Sequence, residues 1–263
     1  MTAVSDHAYL ERKPGPHQAQ HGEDHWIEWF FCGRTDGFFV DVGAYDGVVI
    51  SNTYYFESIG WTGVLVEPNP RKAELCRRNR PRSRVYECAA VSSPEIQRVK
   101  FLDVPGGEIY STVIPSEFNL SRLSQFGLSY EERWVDARTL NSMLEEAAAP
   151  RIDLLSVDVE GAEIEVSRGF DIKRWRPRLV ILESPRRRGD DVRCYFTESG
   201  YVYRGSVAIN DLYVPLVDYF RWGDKRLIAT IVDGVWYRTK RAAESARAKI
   251  ALRTWLRQWG VLS

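Results

Sequence analysis

The sequence predicts an α/β protein built on an open, mostly parallel sheet with helices on both faces. Two observations lead to this fold class. Short apolar runs rich in β-branched residues alternate with helical segments from residue 38 onward, which is typical of parallel strands joined by crossover helices. The last two runs, "YVYRG" and "DLYVPL", lie too close together to hold a crossover helix, so these strands should pair antiparallel.

The predicted elements follow one another in a regular order. The first is a helix in "DHWIEWFF", whose apolar residues Trp26, Ile27, Trp29, Phe30 and Phe31 are spaced to bury one side. The segments that follow are strand "GFFVDV", helix "NTYYFESIG", strand "TGVLVE", helix "RKAELCRRN", strand "SRVYECAAV", a hairpin with a Pro-Gly-Gly turn in "RVKFLDVPGGEIYSTV", helix "RTLNSMLEEA", and strands "IDLLSVDV" and "RLVILES".

The main domain should occupy residues 21–220, with an extension at each end. Residues 1–20 are rich in His, Gln and Pro without periodicity, which predicts a flexible N-terminal arm. Residues 221–263 form the C-terminal extension, and its segment 239–260 has the pattern of a basic amphipathic helix. Such a helix can contact a membrane surface, join two subunits of a homo-oligomer, or pack on its own domain.

The composition limits the kinds of molecule and cellular environment that this protein is expected to meet. Lys+Arg and Asp+Glu both number 36, so the formal net charge is zero and no basic field favours a nucleic acid. The cysteines contain no C-x-x-C pair, which suits buried bystander thiols in a reducing compartment better than disulfides or zinc. No window approaches the roughly 20 apolar residues of a transmembrane segment. We therefore expect a cytoplasmic protein.

The turn after the first strand, "DVGAYDG", has the features of a ligand site. In open parallel sheets the ligand binds beyond the carboxyl ends of the strands, and this turn usually forms its floor. Gly43 permits close approach of the backbone, and Gly47 permits a backbone angle that other residues resist. The G-x-G-x-x-G pattern of dinucleotide sites is absent, and Asp41 at the strand end would repel a phosphate. An acid suits a ligand with an ammonium and a sulfonium, and S-adenosylmethionine carries both.

Further candidate residues for this ligand lie nearby. Glu67 stands at the tip of the second strand, where Rossmann-like sheets place a carboxylate that accepts hydrogen bonds from ribose hydroxyls. The small side chains of Ala89 and Ala90, after the third strand, could leave a flat slot for adenine. Ala44, Asp46 and Asn52, in and after the glycine turn, complete the candidate set.

Three ordered segments resemble the FkbM family of S-adenosylmethionine-dependent methyltransferases. They are "GFFVDVGAYDGVVISNTYYFESIGWTGVLVEPNP", "IDLLSVDVEGAEIEVSRGFD" and "RPRLVILES", and with their flanks they cover roughly residues 20 to 185. The resemblance implies a Rossmann-like class I methyltransferase sheet of seven strands, S-adenosylmethionine as methyl donor, and usually a hydroxyl oxygen as acceptor. It also implies that Asp41, Gly43 and Asp46 line the methionine end of the donor and that Glu67 holds the ribose.

The acceptor side needs a group that removes a proton from an alcohol. All four histidines lie within the first 25 residues, outside these three segments, so we look to the acids of "DVEGAE". Asp158 ends the fourth strand, Glu160 follows it, and Glu183 ends the fifth strand. These acids could act as a general base, hold Mg²⁺ through Asp158 and Glu160, or cap the next helix. For Glu163 the capping role is favoured.

Alternatives from other classes stay open. One is a nicotinamide-dependent oxidoreductase on a similar sheet, which the missing G-x-G-x-x-G pattern disfavours. Another is a non-catalytic module that binds S-adenosylmethionine. A nucleic-acid methyltransferase would normally show Asn/Asp-Pro-Pro-aromatic where this chain has "DVEG". Nine Trp and thirteen Tyr could supply stacking surfaces for a sugar, so a sugar, glycan or other secondary metabolite is the expected acceptor.

Overall fold

The structure is a computed structural model that describes residues 12–115, 117–183 and 189–217 of the chain. The chain divides into two compact units, Met1–Leu216 and Val217–Ser263. The predicted C-terminal extension at 221–263, with its basic helix, and the first eleven residues of the predicted arm lie outside the described residues.

Strands and helices alternate through the first unit much as the sequence predicts. The strands are β1 (Phe38–Val42), β2 (Thr62–Val66), β3 (Ser83–Tyr86), β4 (Ala89–Ala90), β5 (Arg98–Asp103), β6 (Glu131–Arg138), β7 (Leu154–Val157), β8 (Leu179–Glu183), β9 (Tyr201–Val207) and β10 (Asn210–Pro215). The helices are α1 (Glu23–Phe30), α2 (Tyr54–Ser58), α3 (Pro70–Asn79), α4 (Glu117–Gln125), α5 (Leu140–Glu146), α6 (Glu163–Arg168), α7 (Ile172–Trp175) and α8 (Gly189–Glu198).

Seven strands form the main sheet in the order β3-β2-β1-β7-β8-β10-β9. The first five strands in this order are parallel, and β10 pairs antiparallel with both β8 and β9. This confirms the predicted seven-stranded, mostly parallel sheet with an antiparallel last strand. Val42 is in register with both Val66 and Val157, so β1, β2 and β7 end at the same level. The residues that follow these strands therefore meet at one edge of the sheet.

The central strands are almost continuously apolar because their side chains are buried on both faces of the sheet. Val40 and Val42 point to one face of the sheet and pack in a cluster with residues of α5, α6, α7 and α8. Phe39 points to the other face, where the Arg80 guanidinium lies over its ring. Parallel sheets are covered on both faces, so their strands need apolar residues on both sides.

Residues 98–113 do not form the predicted hairpin. Arg98–Asp103 is a strand, but it pairs antiparallel with β6, and only an isolated bridge between Leu102 and Thr112 joins the two sides of the Pro-Gly-Gly turn. The predicted third strand is also two strands: β3 belongs to the main sheet, and β4 pairs with β6 in a small three-stranded sheet. A longer partner at β6 offers more ladder hydrogen bonds than residues 111–113 can.

Two predictions about burial are wrong in part. Trp29 is 65% exposed because the buried stripe of the first helix runs through Ile27, Phe30 and Phe31, and Trp29 lies on the other side. Cys76 and Cys88 are buried as expected, whereas Cys32 and Cys194 are exposed. Cys32 follows the end of α1, and Cys194 lies on the solvent side of α8.

Candidate active site

The glycine turn after β1 is pressed between the tips of two neighbouring strands. The backbone N–H groups of Gly43 and Ala44 donate to the carbonyl of Val66, at 2.9 and 3.2 Å. Gly43 has a φ of 84°, and a Cβ placed on it would lie 1.7 Å from the carbonyl oxygen of Asp158. Gly43 therefore approaches the backbone of Asp158 so closely that no side chain fits there, and its close approach to a ligand stays a prediction.

The other candidate residues of this turn stabilise its shape. One carboxylate oxygen of Asp46 accepts from the backbone N–H groups of Val48 and Val49, both at 2.8 Å. Gly47 adopts the predicted positive φ, at 79°. The Asn52 side-chain amide donates to the hydroxyl of Ser156 at 3.1 Å, which ties the segment after the turn to β7.

Asp41 is buried and engaged with protein groups below the turn. Its carboxylate accepts from the hydroxyl of Thr53 at 2.5 Å, and the same hydroxyl accepts from the buried guanidinium of Arg80 at 3.0 Å. Arg80 also donates to the carbonyl of Gly47 and forms an ion pair with Glu57 at 2.8 Å. Burial raises the pKa of Asp41, and the nearby hydroxyls and guanidinium oppose that shift. No sequence pattern distinguishes Arg80 from the helix arginines that precede it, Arg77 and Arg78.

Glu67 lies where the prediction requires it, at the tip of β2 beside the glycine turn. One carboxylate oxygen accepts from the backbone N–H of Tyr45 at 3.0 Å, and the other accepts from that of Asn69 at 2.8 Å. Burial raises the pKa of Glu67 to about 8, against the lowering effect of these two hydrogen bonds. Each carboxylate oxygen has a second lone pair, so the group can still accept from two ligand hydroxyls.

Ala89 and Ala90 form the short strand β4, which is paired with β6 at Ala137 and Arg138. Both side chains are buried, Ala89 within the apolar cluster of the small sheet and Ala90 within the main core. Ala44 is buried as well. The contact of Ala89 and Ala90 with adenine stays a prediction.

Three predicted acids meet at the neighbouring strand tips. Asp158 follows Val157, which is in register with Leu182, so Asp158 and Glu183 lie side by side. Carboxylate oxygens of Asp158, Glu160 and Glu183 all lie within 4.8 Å of one another, and all three side chains are partly exposed. Loss of hydration, followed by the negative charges of Glu183 and Glu163, raises the pKa of Asp158 well above its ordinary value.

The turn that carries Glu160 is fixed by groups from outside the main sheet. The Thr112 hydroxyl and the Asn119 amide donate to the carbonyl of Glu160, at 3.2 and 3.3 Å. Glu163 is buried at the first position of α6, and its carboxylate accepts from the backbone N–H of Gly161 at 2.9 Å. Glu163 therefore lies in the first turn of α6, as the favoured capping role requires, and its bond fixes the turn before the helix. Thr112 was missed because it lies in the segment predicted as a hairpin, and Asn119 was missed because no element was predicted for its segment.

Glu23 and Asn210 extend the row of polar groups along the sheet edge. Asn210 is in register with Glu183 on the adjacent strand, and its amide donates to the buried carboxylate of Glu23 at 2.8 Å. The negative charge of Glu23 also contributes to the raised pKa of Asp158. Glu23 and Asp24, the first two residues of α1, are both buried.

The sequence matches the Methyltransferase FkbM domain over residues 41–203, more than half of the chain. The chain therefore belongs to the FkbM methyltransferase family. Its strand order and its glycine turn are those expected of a Rossmann-like class I methyltransferase. Among curated proteins, no sequence gives a significant match.

Solved structures with the same general fold include two bacterial methyltransferases. A TehB-like SAM-dependent methyltransferase from Corynebacterium glutamicum ATCC 13032 Kitasato has a TM-score of 0.40 and 10% identity, covering 74% of this chain and 88% of its own. An O-methyltransferase from Bacillus cereus in complex with SAH has a TM-score of 0.39 and 12% identity, covering 76% and 82%. Because both TM-scores are low, the fold assignment rests on the strand order of this chain.

Within the described ranges, no helix is both long enough and apolar enough to cross a membrane.

Proposed function

We propose that this protein is an S-adenosylmethionine-dependent O-methyltransferase that acts on a hydroxyl group of a sugar, glycan or other secondary metabolite. The observation that supports the proposal is that acids lie on both sides of one glycine turn, a single acid on one side and a cluster of three on the other. Glu67 lies on the β2 side, and the cluster of Asp158, Glu160 and Glu183 lies on the β7 and β8 side.

The donor side suits a ribose and an amino acid better than a pyrophosphate. Gly43 lets the turn pack against the backbone of Asp158, and Glu67 keeps lone pairs for two hydroxyls. Asp41 at the end of β1 suits a cationic ligand beside the turn and disfavours phosphates. We propose that Gly43, Ala44, Asp46, Gly47 and Asn52 shape the methionine end, with Ala89 and Ala90 toward the adenine.

S-adenosylmethionine, when bound, supplies a methyl group on a positively charged sulfonium. The residues of the chain then have to orient the acceptor and take its proton. Asp158 is the preferred base because its raised pKa makes the carboxylate a better proton acceptor than an ordinary aspartate. Glu160 and Glu183 lie within reach to orient the acceptor hydroxyl or to share the proton.

A metal version of the acceptor site uses the same acids. Asp158 and Glu160 could hold Mg²⁺, which prefers oxygen ligands and acidifies a bound hydroxyl. Adding EDTA separates the versions, because only a metal-dependent enzyme loses activity that Mg²⁺ restores.

The proposal is tested by methyl transfer from tritium-labelled S-adenosylmethionine to separate pools of free sugars, glycosides and hydroxylated aromatic compounds. We expect S-adenosylhomocysteine to form only with a suitable acceptor, and the label to reside in a product that mild alkali does not cleave, as for a methyl ether. A label on nitrogen or in an alkali-labile ester would contradict O-methylation of a hydroxyl. Reduction of NAD, with oxidation of one of these compounds, would support the oxidoreductase alternative. Binding of S-adenosylmethionine without any methyl transfer would support the non-catalytic module.

A further inference from the structure

We propose that His17, His25 and Glu28 form a site for a divalent metal ion of the zinc type. None of these residues is used in the donor and acceptor chemistry above. His17 lies in the segment before α1, and His25 and Glu28 lie on α1 itself. One nitrogen of each histidine and one carboxylate oxygen of Glu28 all lie within 4.8 Å of one another.

The helix places two of the three groups on one side. His25 and Glu28 are three residues apart in α1, so their side chains are neighbours on the helix surface. His17 approaches the same point, with its Nε2 at 3.7 Å from a carboxylate oxygen of Glu28. The three groups converge because the chain turns back on itself before α1 begins.

The hydrogen bonding of His17 leaves a place for a cation. Its ring is stacked between His25 and Tyr55, with ring centroids 3.7 and 4.0 Å away. Its Nδ1 is buried without a hydrogen-bond partner, and the nearest acid oxygen, on Asp24, is 3.5 Å away. Both ring nitrogens of His17 thus face carboxylates, yet a neutral imidazole has only one N–H. One nitrogen lone pair therefore opposes a carboxylate oxygen, and a cation between them removes that repulsion.

Outer groups hold the candidate ligands as they do in known metal sites. Metal-bound histidines usually direct their other nitrogen at a carboxylate, and ligating carboxylates are themselves hydrogen-bonded. Asp24 faces the Nδ1 of His17, and its carboxylate is fixed by the backbone N–H groups of Gln18 and Ala19 at 2.8 and 3.1 Å. The hydroxyl of Tyr55 donates to the other carboxylate oxygen of Glu28.

The ligand set indicates the class of metal. Two imidazoles and one carboxylate suit Zn²⁺, which takes these donors in tetrahedral geometry and can leave a fourth position for water. The ring of His25 must leave its stacked position to direct a lone pair at the same ion, and its exposure allows this rotation. A bound ion would fasten the segment before α1 to the helix, next to Tyr55 of α2.

The test is a calorimetric titration of the tag-free, EDTA-treated full chain with Zn²⁺ alone. We expect about one tight equivalent in the wild type, and a loss of affinity of tenfold or more in His17→Gln, His25→Gln and Glu28→Gln. Tyr55→Phe should lose about 10- to 100-fold, as is typical when an outer hydrogen bond is removed. Co²⁺ substitution should give the absorption of a tetrahedral ion.

Two variants serve as controls. His21→Gln removes a neighbouring exposed histidine, and Glu95→Gln removes an exposed acid elsewhere, so both should keep wild-type Zn²⁺ affinity. His25 is exposed, so His25→Gln should fold normally and should give a clear answer even if His17→Gln does not fold. Absence of a tight equivalent in the wild type would overturn the proposal, and so would equal affinity in the folded ligand variants.

Discussion

The two sides of the glycine turn place acids at the same edge of one sheet and treat them differently. On the β2 side, Glu67 is buried but accepts a backbone hydrogen bond on each carboxylate oxygen. On the β7 and β8 side, Asp158 lies beside Glu183 and near Glu163, and these negative charges add to the effect of its burial. The first carboxylate is held by donors, whereas the second is surrounded by like charges.

This difference suggests how the two sides divide the work. A carboxylate that is already oriented by backbone groups changes little when a ligand with two hydroxyls arrives, so it suits recognition. A carboxylate destabilised by its neighbours gains when it takes up a proton or a cation, so it suits chemistry. The predictions below separate these roles, from the largest expected effect to the smallest.

The largest effect should come from Asp158→Asn. The change keeps the shape of the side chain and removes its charge, so turnover should fall by about 10²- to 10⁴-fold while donor affinity stays nearly unchanged. Turnover with the acceptor found in the labelling experiment and calorimetry with S-adenosylmethionine measure the two quantities. Glu95→Gln, an exposed acid elsewhere, is the matched control. Wild-type turnover in Asp158→Asn would move the base role to Glu160, Glu183, the N-terminal arm or solvent.

Arg80 makes the buried polar contacts below the glycine turn, and substitution of Arg80 should remove them. This buried guanidinium is paired with Glu57 and reaches Gly47 and Thr53, so Arg80→Ala leaves a buried carboxylate without its charged partner. We expect the free energy of unfolding to fall by about 3–5 kcal/mol, measured by urea denaturation. Arg78→Ala is the control, because its pair with Glu74 is exposed and should contribute about 1 kcal/mol or less. Similar losses in both variants would contradict the structural role of Arg80.

The pH dependence of ribose binding should report Glu67. Its pKa is raised to about 8, so much of the free protein carries the neutral acid at lower pH, whereas two ribose hydroxyls are best accepted by the carboxylate. Affinity should therefore rise by up to about tenfold per pH unit until about pH 8 and then level off. The probe is 5′-methylthioadenosine, which keeps the ribose and lacks the titrating amine. Glu67→Gln should flatten the profile, and an equal slope in both proteins would exclude Glu67 as its source.

A smaller effect concerns stability at the acidic cluster. The pKa of Asp158 is higher in the folded protein than in the unfolded chain. The folded protein therefore loses stability as the pH rises between these two pKa values. Asp158→Asn cannot ionise, so it should melt at a higher temperature than the wild type near neutral pH, and the difference should shrink toward about pH 4. Glu95→Gln should show no such change. A melting temperature below that of the wild type at neutral pH would mean that the charge of Asp158 is stabilised by groups that outweigh its acidic neighbours.

The sequence was sufficient for the elements whose signals are local. The apolar run of β1, the positive φ of Gly47, and the acid at the tip of β2 each follow from a few adjacent residues. The antiparallel β10 followed from the short connection before it. These features define the main sheet and the glycine turn.

Features that depend on distant pairing were missed. Arg98–Asp103 was recognised as a strand, but its partner β6 lies beyond α4, and no local pattern distinguishes it from a hairpin arm. Arg80 resembles its exposed neighbours in sequence, and only the fold buries it beside Glu57. Glu23 lies near the strand tips because it accepts a hydrogen bond from Asn210, which is nearly two hundred residues away in the chain. Such residues are found only when the partner strand or helix is known.

The most direct test of the donor site is calorimetric titration of the wild type and of Glu67→Ala with S-adenosylmethionine and with NAD. The wild type should bind S-adenosylmethionine and not NAD. Loss of hydrogen bonds to a charged group should cost Glu67→Ala about 1.5–3 kcal/mol, or roughly 10- to 150-fold in affinity. Tighter binding of NAD, or unchanged donor affinity in a folded Glu67→Ala protein, would contradict the assignment of the glycine turn and Glu67 to S-adenosylmethionine.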